Sequence, residues 1–151
     1  MREIRFRGKR IDNGEWVIGF LEFHLVDGDL TKTKQDAFIT YDYMDKIGKV
    51  YRDRFEVIPE TVGQFTGLFD DSGTEIYDGD IIEIQDSTET TTSYQSPVCI
   101  THDGALVKYH PAHVSMGEVG MRKLSSYCDY GYGGKYNVSC KIIGNVHEAS
   151  K

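Results

Sequence analysis

The chain has 151 residues and a mass of 17.1 kDa, the size of one ordinary domain that can bury a core without disulfide or metal staples. Its composition is 39% hydrophobic and 27% charged, and no uninterrupted apolar run is long enough to span a bilayer, which excludes a transmembrane helix. Seventeen basic and twenty-four acidic residues give a formal charge of −7, which argues against a general affinity for phosphate backbones.

The first predicted strand covers residues 3–8, where Ile4 and Phe6 alternate with Arg5 and Arg7. This alternation favours a solvated basic face over a phosphate-binding stripe. The positive N-terminus leads into no continuous apolar stretch and no small-residue cleavage site, so we expect no signal peptide and a cytoplasmic protein.

Residue usage predicts an all-β protein. Isoleucine, valine and threonine number 13, 11 and 11, against six leucines and four alanines, and pairs such as Asn13-Gly14, Asp27-Gly28, Ser72-Gly73 and Asp103-Gly104 supply hairpin turns. The predicted strands are residues 3–8, 15–23, 37–40, 54–58, 62–68, 80–85, 98–101, 105–109 and 136–146. Their lengths and spacing favour a barrel or sandwich with at most a short helix, for which residues 119–127 are the best candidate.

Two segments are predicted to be irregular. Residues 86–96 are polar and rich in Thr and Ser, which is typical of an exposed loop. Residues 128–135 alternate Tyr with Gly, so Tyr130 and Tyr132 form a candidate contact loop, although a flexible turn explains the pattern more simply. The cysteines Cys99, Cys128 and Cys140 are odd in number and widely spaced, which indicates reduced thiols rather than a disulfide framework.

The densest polar cluster lies in residues 70–80, which contain five Asp and Glu side chains, the last of them Asp80. Carboxylates suit Mg²⁺ or Ca²⁺, but their order does not match a calcium loop. Turns explain the same residues better, because Asp side chains accept hydrogen bonds from nearby backbone N–H groups. We therefore predict that Asp78, Gly79 and Asp80 form a structural turn and that the chain needs no metal or other cofactor.

Histidines and nucleophiles give no catalytic site. His102-Asp103 precedes a glycine in a predicted hairpin turn, and His110 and His113 bracket a proline instead of sharing one helical face. The sequence lacks a nucleophile elbow, a phosphate-binding loop and a dinucleotide fingerprint. The residues thus predict a protein without recognisable catalytic machinery.

Three segments together resemble the YopX family. Residues 57–68 read VIPETVGQFTGL and are followed by Asp71-x-Gly73-x-Glu75-Ile76-Tyr77-Asp78-Gly79-Asp80-Ile81, which is similar to the family's central motif. The opening Ile4-x-Phe6-Arg7-Gly8 with Gly14-Glu15-Trp16-Val17-x-Gly19, and the closing residues 142–148 (IIGNVHE), also match. Ile18 and His147 stand where tyrosine is commoner, and Asp78 replaces the usual Glu. Residues 86–134 contribute no motif to the resemblance.

The resemblance implies a phage or prophage protein with a small SH3-like barrel core, additional hairpins and no established activity. It supplies no catalytic residues, and its motif positions are expected to be structural. These positions are Trp16, Gly19, Pro59, Thr61, Gly63, Gln64, Thr66, Gly67, Leu68, Gly73, Ile76, Tyr77, Gly79, Asp80, Gly144 and Asn145. A single domain over residues 1–151 is expected, with an N-terminal β-module (about 1–58) packed on a barrel-like module (about 59–148) as the alternative arrangement.

Three functions remain open at this point. The leading one is a non-enzymatic protein-interaction module with an unidentified protein partner, or a second copy of itself, in the cytoplasm of a bacterial host. The second is a nucleic-acid-associated phage replication or regulatory protein using Arg5 and Arg7. The third is a metal-dependent hydrolase using the carboxylates from Asp70 to Asp80. Trp16 is expected to be substantially buried in each case.

Overall fold

A computed structural model describes residues 4–25, 35–86, 92–101, 104–109, 120–123 and 138–148. These residues form eleven strands and one 3₁₀ turn, Pro59–Thr61. The strands are β1 (Phe6–Lys9), β2 (Trp16–Leu25), β3 (Gln35–Met44), β4 (Val50–Val57), β5 (Gly63–Phe69), β6 (Glu75–Tyr77), β7 (Asp80–Asp86), β8 (Thr92–Thr101), β9 (Gly104–Tyr109), β10 (Gly120–Lys123) and β11 (Val138–Asn145).

The all-β prediction is confirmed, and every predicted strand has a counterpart. The described residues contain no α-helix, and none of their helical segments is long and apolar enough to cross a membrane. The helix predicted at 119–127 is wrong where it can be judged, because β10 extends through residues 120–123 and pairs with β9. The loop predicted at 86–96 is also wrong in part, because β7 includes Asp86 and β8 begins at Thr92. In both segments, pairing with a neighbouring strand determines the structure, against the local sequence pattern.

The chain divides into two compact units, residues 1–64 and 65–151, and the division falls inside β5. In the first unit β1 to β4 form an antiparallel meander, and the start of β5 pairs with β1 through Gln64 and Gly63. Its core consists of Ala37, Ile39 and Val57, all fully buried. A single antiparallel bridge also joins Arg10 to Val57.

In the second unit the remainder of β5 pairs with β6, and a five-stranded antiparallel sheet has the order β10-β9-β8-β7-β11. The core lies on one face of this sheet, since alternate residues of a strand point to the same side. Its buried members are Ile76, Ile82, Ile84, Val98, Ala105, Val107 and Cys140.

The strand orders do not return on themselves over the described residues, so the SH3-like barrel is not observed and stays a prediction. The two faces of β7 are buried to different extents. Asp80, Ile82 and Ile84 are buried, whereas Ile81 and Glu83 on the opposite face are half-buried.

Candidate interaction surface

The acidic segment of residues 70–80 is built into the fold of the second unit. Asp70 lies at the end of β5 and is almost fully buried, and its Oδ1 accepts hydrogen bonds from the backbone N–H groups of Ser72 and Thr74 at 2.9 and 2.8 Å. The Ser72 hydroxyl donates to the same oxygen at 2.6 Å. Burial opposes ionisation of Asp70, but the hydrogen bonds from Ser72, Thr74 and Ile142 outweigh it and lower the pKa of the Asp70 carboxyl.

The same turn covers the outer backbone of β11. The Cys140 N–H donates to Asp71 Oδ2 at 2.8 Å, and the Asp71 N–H donates to the Cys140 carbonyl at 2.9 Å. The Ile142 N–H donates to Asp70 Oδ2 at 3.3 Å. Because an open strand edge presents unpaired N–H and C=O groups, these two carboxylates satisfy groups that would otherwise lack a partner.

The second acidic turn connects three elements. Asp80 is fully buried, and its two oxygens accept hydrogen bonds from the Tyr77 N–H at 2.8 Å and from the Asn145 side-chain amide at 3.3 Å. Asp78 Oδ1 accepts from the Ile100 N–H at 3.1 Å. No group of three or more potential metal ligands occurs in the part of the chain that the structure describes. Asp78 and Asp80 thus each accept hydrogen bonds from other segments of the second unit.

The first unit offers a different feature, which we call the outer face. Cross-strand registers place the odd-numbered residues of β2 and β3 toward the core. The opposite side, the outer face, is formed by Arg7, Lys9, Trp16, Ile18, Phe20, Glu22, His24, Asp36, Phe38, Thr40, Asp42, Met44, Val50, Arg52, Arg54 and Glu56.

An apolar row follows β2 across the outer face. Ile18 and Phe20 are 44% and 57% exposed, and they are neighbours because residues two apart on a strand share a face. Trp16 continues this row and is half-buried. The Arg7 guanidinium lies 4.7 Å from the centre of the Trp16 ring and the Lys9 ammonium lies 5.9 Å from it, so cations cover one end of the row.

Charged side chains border the other side of the row. The Arg54 guanidinium lies 3.7 Å from the centre of the Phe38 ring and 3.9 Å from a Glu22 carboxylate oxygen. Arg52 binds Asp42 through two hydrogen bonds of 2.6 and 2.9 Å. The side-chain hydrogen bond from Arg52 lowers the pKa of Asp42. Their carboxylate partners fix the positions of Arg52 and Arg54 beside the exposed aliphatic and aromatic groups.

The family model described as YopX protein matches residues 5–151, nearly the whole chain. The chain belongs to the YopX family. No curated protein and no solved structure matches it.

The YopX motif residues occupy structural positions in the described part of the chain. Pro59 opens the 3₁₀ turn, and Thr61 Oγ1 accepts from the Lys9 N–H at 2.9 Å. Thr66 Oγ1 donates to the Ile76 carbonyl at 2.7 Å. Gly63 and Gln64 pair with β1. Ile76 belongs to the core of the second unit and Leu68 packs against it, whereas Tyr77 is buried against Phe65. Gly144 lies at a register shift of β11, and Gly67, Gly73 and Gly79 adopt positive φ.

Gly19 is the tightest of these positions. A Cβ at Gly19 would collide with the Thr40 carbonyl oxygen and lie 3.1 Å from Cγ2 of Ile39. Glycine therefore lets β2 pass close to the β3 backbone. Asp80 and Asn145, two further motif residues, are joined by a hydrogen bond.

Two expectations about aromatic residues stay open. Trp16 is partly buried beneath Arg7, and it points to the outer face rather than to the core. Tyr130 and Tyr132 lie outside the described residues, as do His102, His110 and His113. Sequence reasoning missed Ile18 and Phe20. The signal for them is the nearly continuous apolar run of residues 16–21, which is longer than one buried face requires.

Proposed function

We propose that this YopX protein is a non-enzymatic interaction module that binds a partner protein on the outer face of β1 to β4. The observation that carries the proposal is the exposed pair Ile18 and Phe20 at the centre of that face. Protein interfaces combine an apolar, aromatic centre with a polar rim in which Arg is enriched. The row along β2 supplies the centre, and Arg7, Arg52 and Arg54 stand in its rim.

Charge favours a protein over a nucleic acid. Four basic and four acidic side chains are intermixed on the described outer face, and the whole chain carries −7. A phosphate backbone needs a surplus of cations, and Arg7, Arg52 and Arg54 are already engaged by Trp16, Asp42 and Phe38. A mixed surface with fixed charges instead suits a protein whose own charges alternate.

A hydrolytic function has less support. A metal-dependent hydrolase would need carboxylates with free oxygens converging on one point. Asp70, Asp71, Asp78 and Asp80 each accept hydrogen bonds from backbone N–H groups, which ties them to the turns. On the family resemblance, we take the protein to be encoded by a phage or prophage and to act in the cytoplasm of a bacterial host.

Affinity recovery from prophage-induced host cells tests the proposal. The tagged wild-type chain is compared with an Ile18→Ser, Phe20→Ser double variant and with Phe23→Ser as the matched control. Phe23 lies on the same strand and is 55% exposed, but it points to the opposite face. We expect the wild type and Phe23→Ser to recover the same protein and the double variant to lose it. Equal recovery by all three chains would contradict the proposal.

A further inference from the structure

The β4 strand has a partner on one side along its whole length and on the other side at its end alone. It pairs with β3 from Met44↔Val50 to Ala37↔Val57. On its other side, the Ile11 N–H donates to the Glu56 carbonyl at 3.1 Å and the Ile58 N–H donates to the Lys9 carbonyl at 2.9 Å. Among the described residues, no strand pairs with this side of β4 between Val50 and Arg54.

The hydrogen-bonding pattern of the β3–β4 hairpin determines which backbone groups of β4 point away from β3. The Asp45 N–H donates to the Lys49 carbonyl at 2.9 Å in the connecting turn, so these two residues form a hydrogen-bonded pair. Non-hydrogen-bonded and hydrogen-bonded pairs then alternate along the two strands. Val50, Arg52 and Arg54 consequently direct their N–H and C=O groups away from β3. The Glu56 carbonyl, two residues after Arg54, accepts a hydrogen bond from the Ile11 N–H and so also points away from β3, which agrees with this assignment.

We propose that this edge pairs, antiparallel, with β4 of a second copy of the chain, about a two-fold axis at Tyr51. In that register Val50 lies opposite Arg52 of the other copy, and their outward backbone groups form the ladder. Lys49 lies opposite Asp53 of the other copy on both sides of the axis, which gives two ion pairs of opposite charge. Because the two copies use the same edge, the contact covers the free edge of β4 in both of them.

Charge excludes the neighbouring registers. Moving the axis to Arg52 or Arg54 places that arginine opposite itself, and moving it to Asp53 places Arg52 opposite Arg54. A register centred on Phe55 would need the Glu56 carbonyl, which already accepts a bond from Ile11. A register centred on Val50 overlaps the turn instead of the strand. Tyr51 is the one centre in the strand that these conditions allow.

Aromatic packing supports the same axis. Phe55, Tyr41, Tyr43 and Tyr51 follow one another across β3 and β4, with ring centres 5.7 Å apart for Tyr41 and Tyr43 and 5.4 Å apart for Tyr43 and Tyr51. Tyr51 ends this row and is 36% exposed. In the proposed dimer the two Tyr51 residues form a non-hydrogen-bonded pair, the kind of pair in which opposing side chains approach most closely.

Sedimentation equilibrium over a range of protein concentrations tests this contact with a charge exchange. We expect the wild type to be a dimer, and we expect Lys49→Glu and Asp53→Lys each to weaken dimerisation by about tenfold or more, because each places like charges opposite one another twice. The double variant restores opposite charges and should recover the dimer. Lys46→Glu makes the same charge change in the same turn without facing Asp53, and it should dimerise like the wild type.

Each departure from this pattern overturns the contact. A wild type that is monomeric at every concentration does so, as do single variants that dimerise normally or a double variant that stays monomeric. Fluorescence of the single tryptophan, Trp16, checks that every variant is folded. Dimerisation is independent of the partner-binding proposal, since the edge test uses the purified chain alone and leaves Ile18 and Phe20 unchanged.

Discussion

Asp71 and Cys140, 69 residues apart in sequence, exchange two hydrogen bonds, one to the Asp71 carboxylate and one from its backbone N–H. The acidic turn after β5 thereby takes the place that a further strand would occupy beside β11. This relationship gives a structural reason for carboxylates in residues 70–80. Their acceptor oxygens are needed where backbone N–H groups have no strand partner.

Asp70→Asn should lower the free energy of unfolding at neutral pH by about 1–3 kcal/mol, because the amide replaces one carboxylate oxygen with an NH2 group that faces either the Ile142 N–H or the Ser72 and Thr74 N–H groups. Since the pKa of Asp70 is lowered in the folded state, its contribution is present above the ordinary value of 3.8 and is lost as the pH falls through the lower folded value. Urea unfolding from pH 7 to pH 3 should show the two curves converging in acid. A difference that widens on acidification would show the sign to be wrong.

Gly19→Ala should destabilise the protein by about 1–3 kcal/mol or more, because the new methyl group meets the Thr40 backbone, which cannot rotate away. Gly144→Ala is the matched control, since a Cβ there has no atom within 4 Å. Its unfolding midpoint should stay close to that of the wild type. Equal losses in the two variants would indicate that backbone freedom, not close approach, explains both glycines.

Thr61→Val should cost about 1–3 kcal/mol, because it leaves the Lys9 N–H without the Thr61 hydroxyl that it contacts at 2.9 Å. The same hydroxyl donates to the Ile58 carbonyl at 2.7 Å. Thr61→Ser keeps both bonds and should retain most of the stability. Thermal unfolding of the three chains separates the hydroxyl from the methyl group, and a serine variant as unstable as the valine variant would exclude the hydrogen bond as the cause.

Trp16 should be quenched more strongly by iodide than by caesium, because Arg7 and Lys9 lie over its half-buried ring and attract anions. The chain has a single tryptophan, so fluorescence reports this residue alone. Lys9→Gln should reduce the difference between the two quenchers, and added salt should reduce it further. Equal resistance to both quenchers would mean that the Trp16 ring is fully buried.

The sequence predicts the strands of this protein well because β-branched residues, aromatics and Asp-Gly or Asn-Gly turns agree along most of the chain. It fails where pairing decides the outcome. The β10 strand exists because residues 120–123 pair with β9, although their local pattern indicates a weak helix. The polar start of β8 is a strand because it pairs with β7.

The candidate surface could be predicted less well than the fold. Period-two alternation shows that Trp16, Ile18 and Phe20 share a face, but it does not reveal whether that face is covered. Arg7 lies in β1 and Arg54 lies in β4, so their stacking on Trp16 in β2 and Phe38 in β3 depends on strand register. The hydrogen bond that Asp80 accepts could be predicted from the sequence, because a carboxylate beside a tight glycine turn commonly accepts backbone N–H bonds.

Site-specific photocrosslinking tests the outer face most directly. A photoreactive phenylalanine analogue is placed at position 20, or at position 23 as the control on the opposite face of the same strand, in chains expressed in prophage-induced cells. We expect position 20 to give a discrete adduct with one protein and position 23 to give none. Adducts from position 23 alone, or no adduct from either position, would contradict partner binding through Ile18 and Phe20.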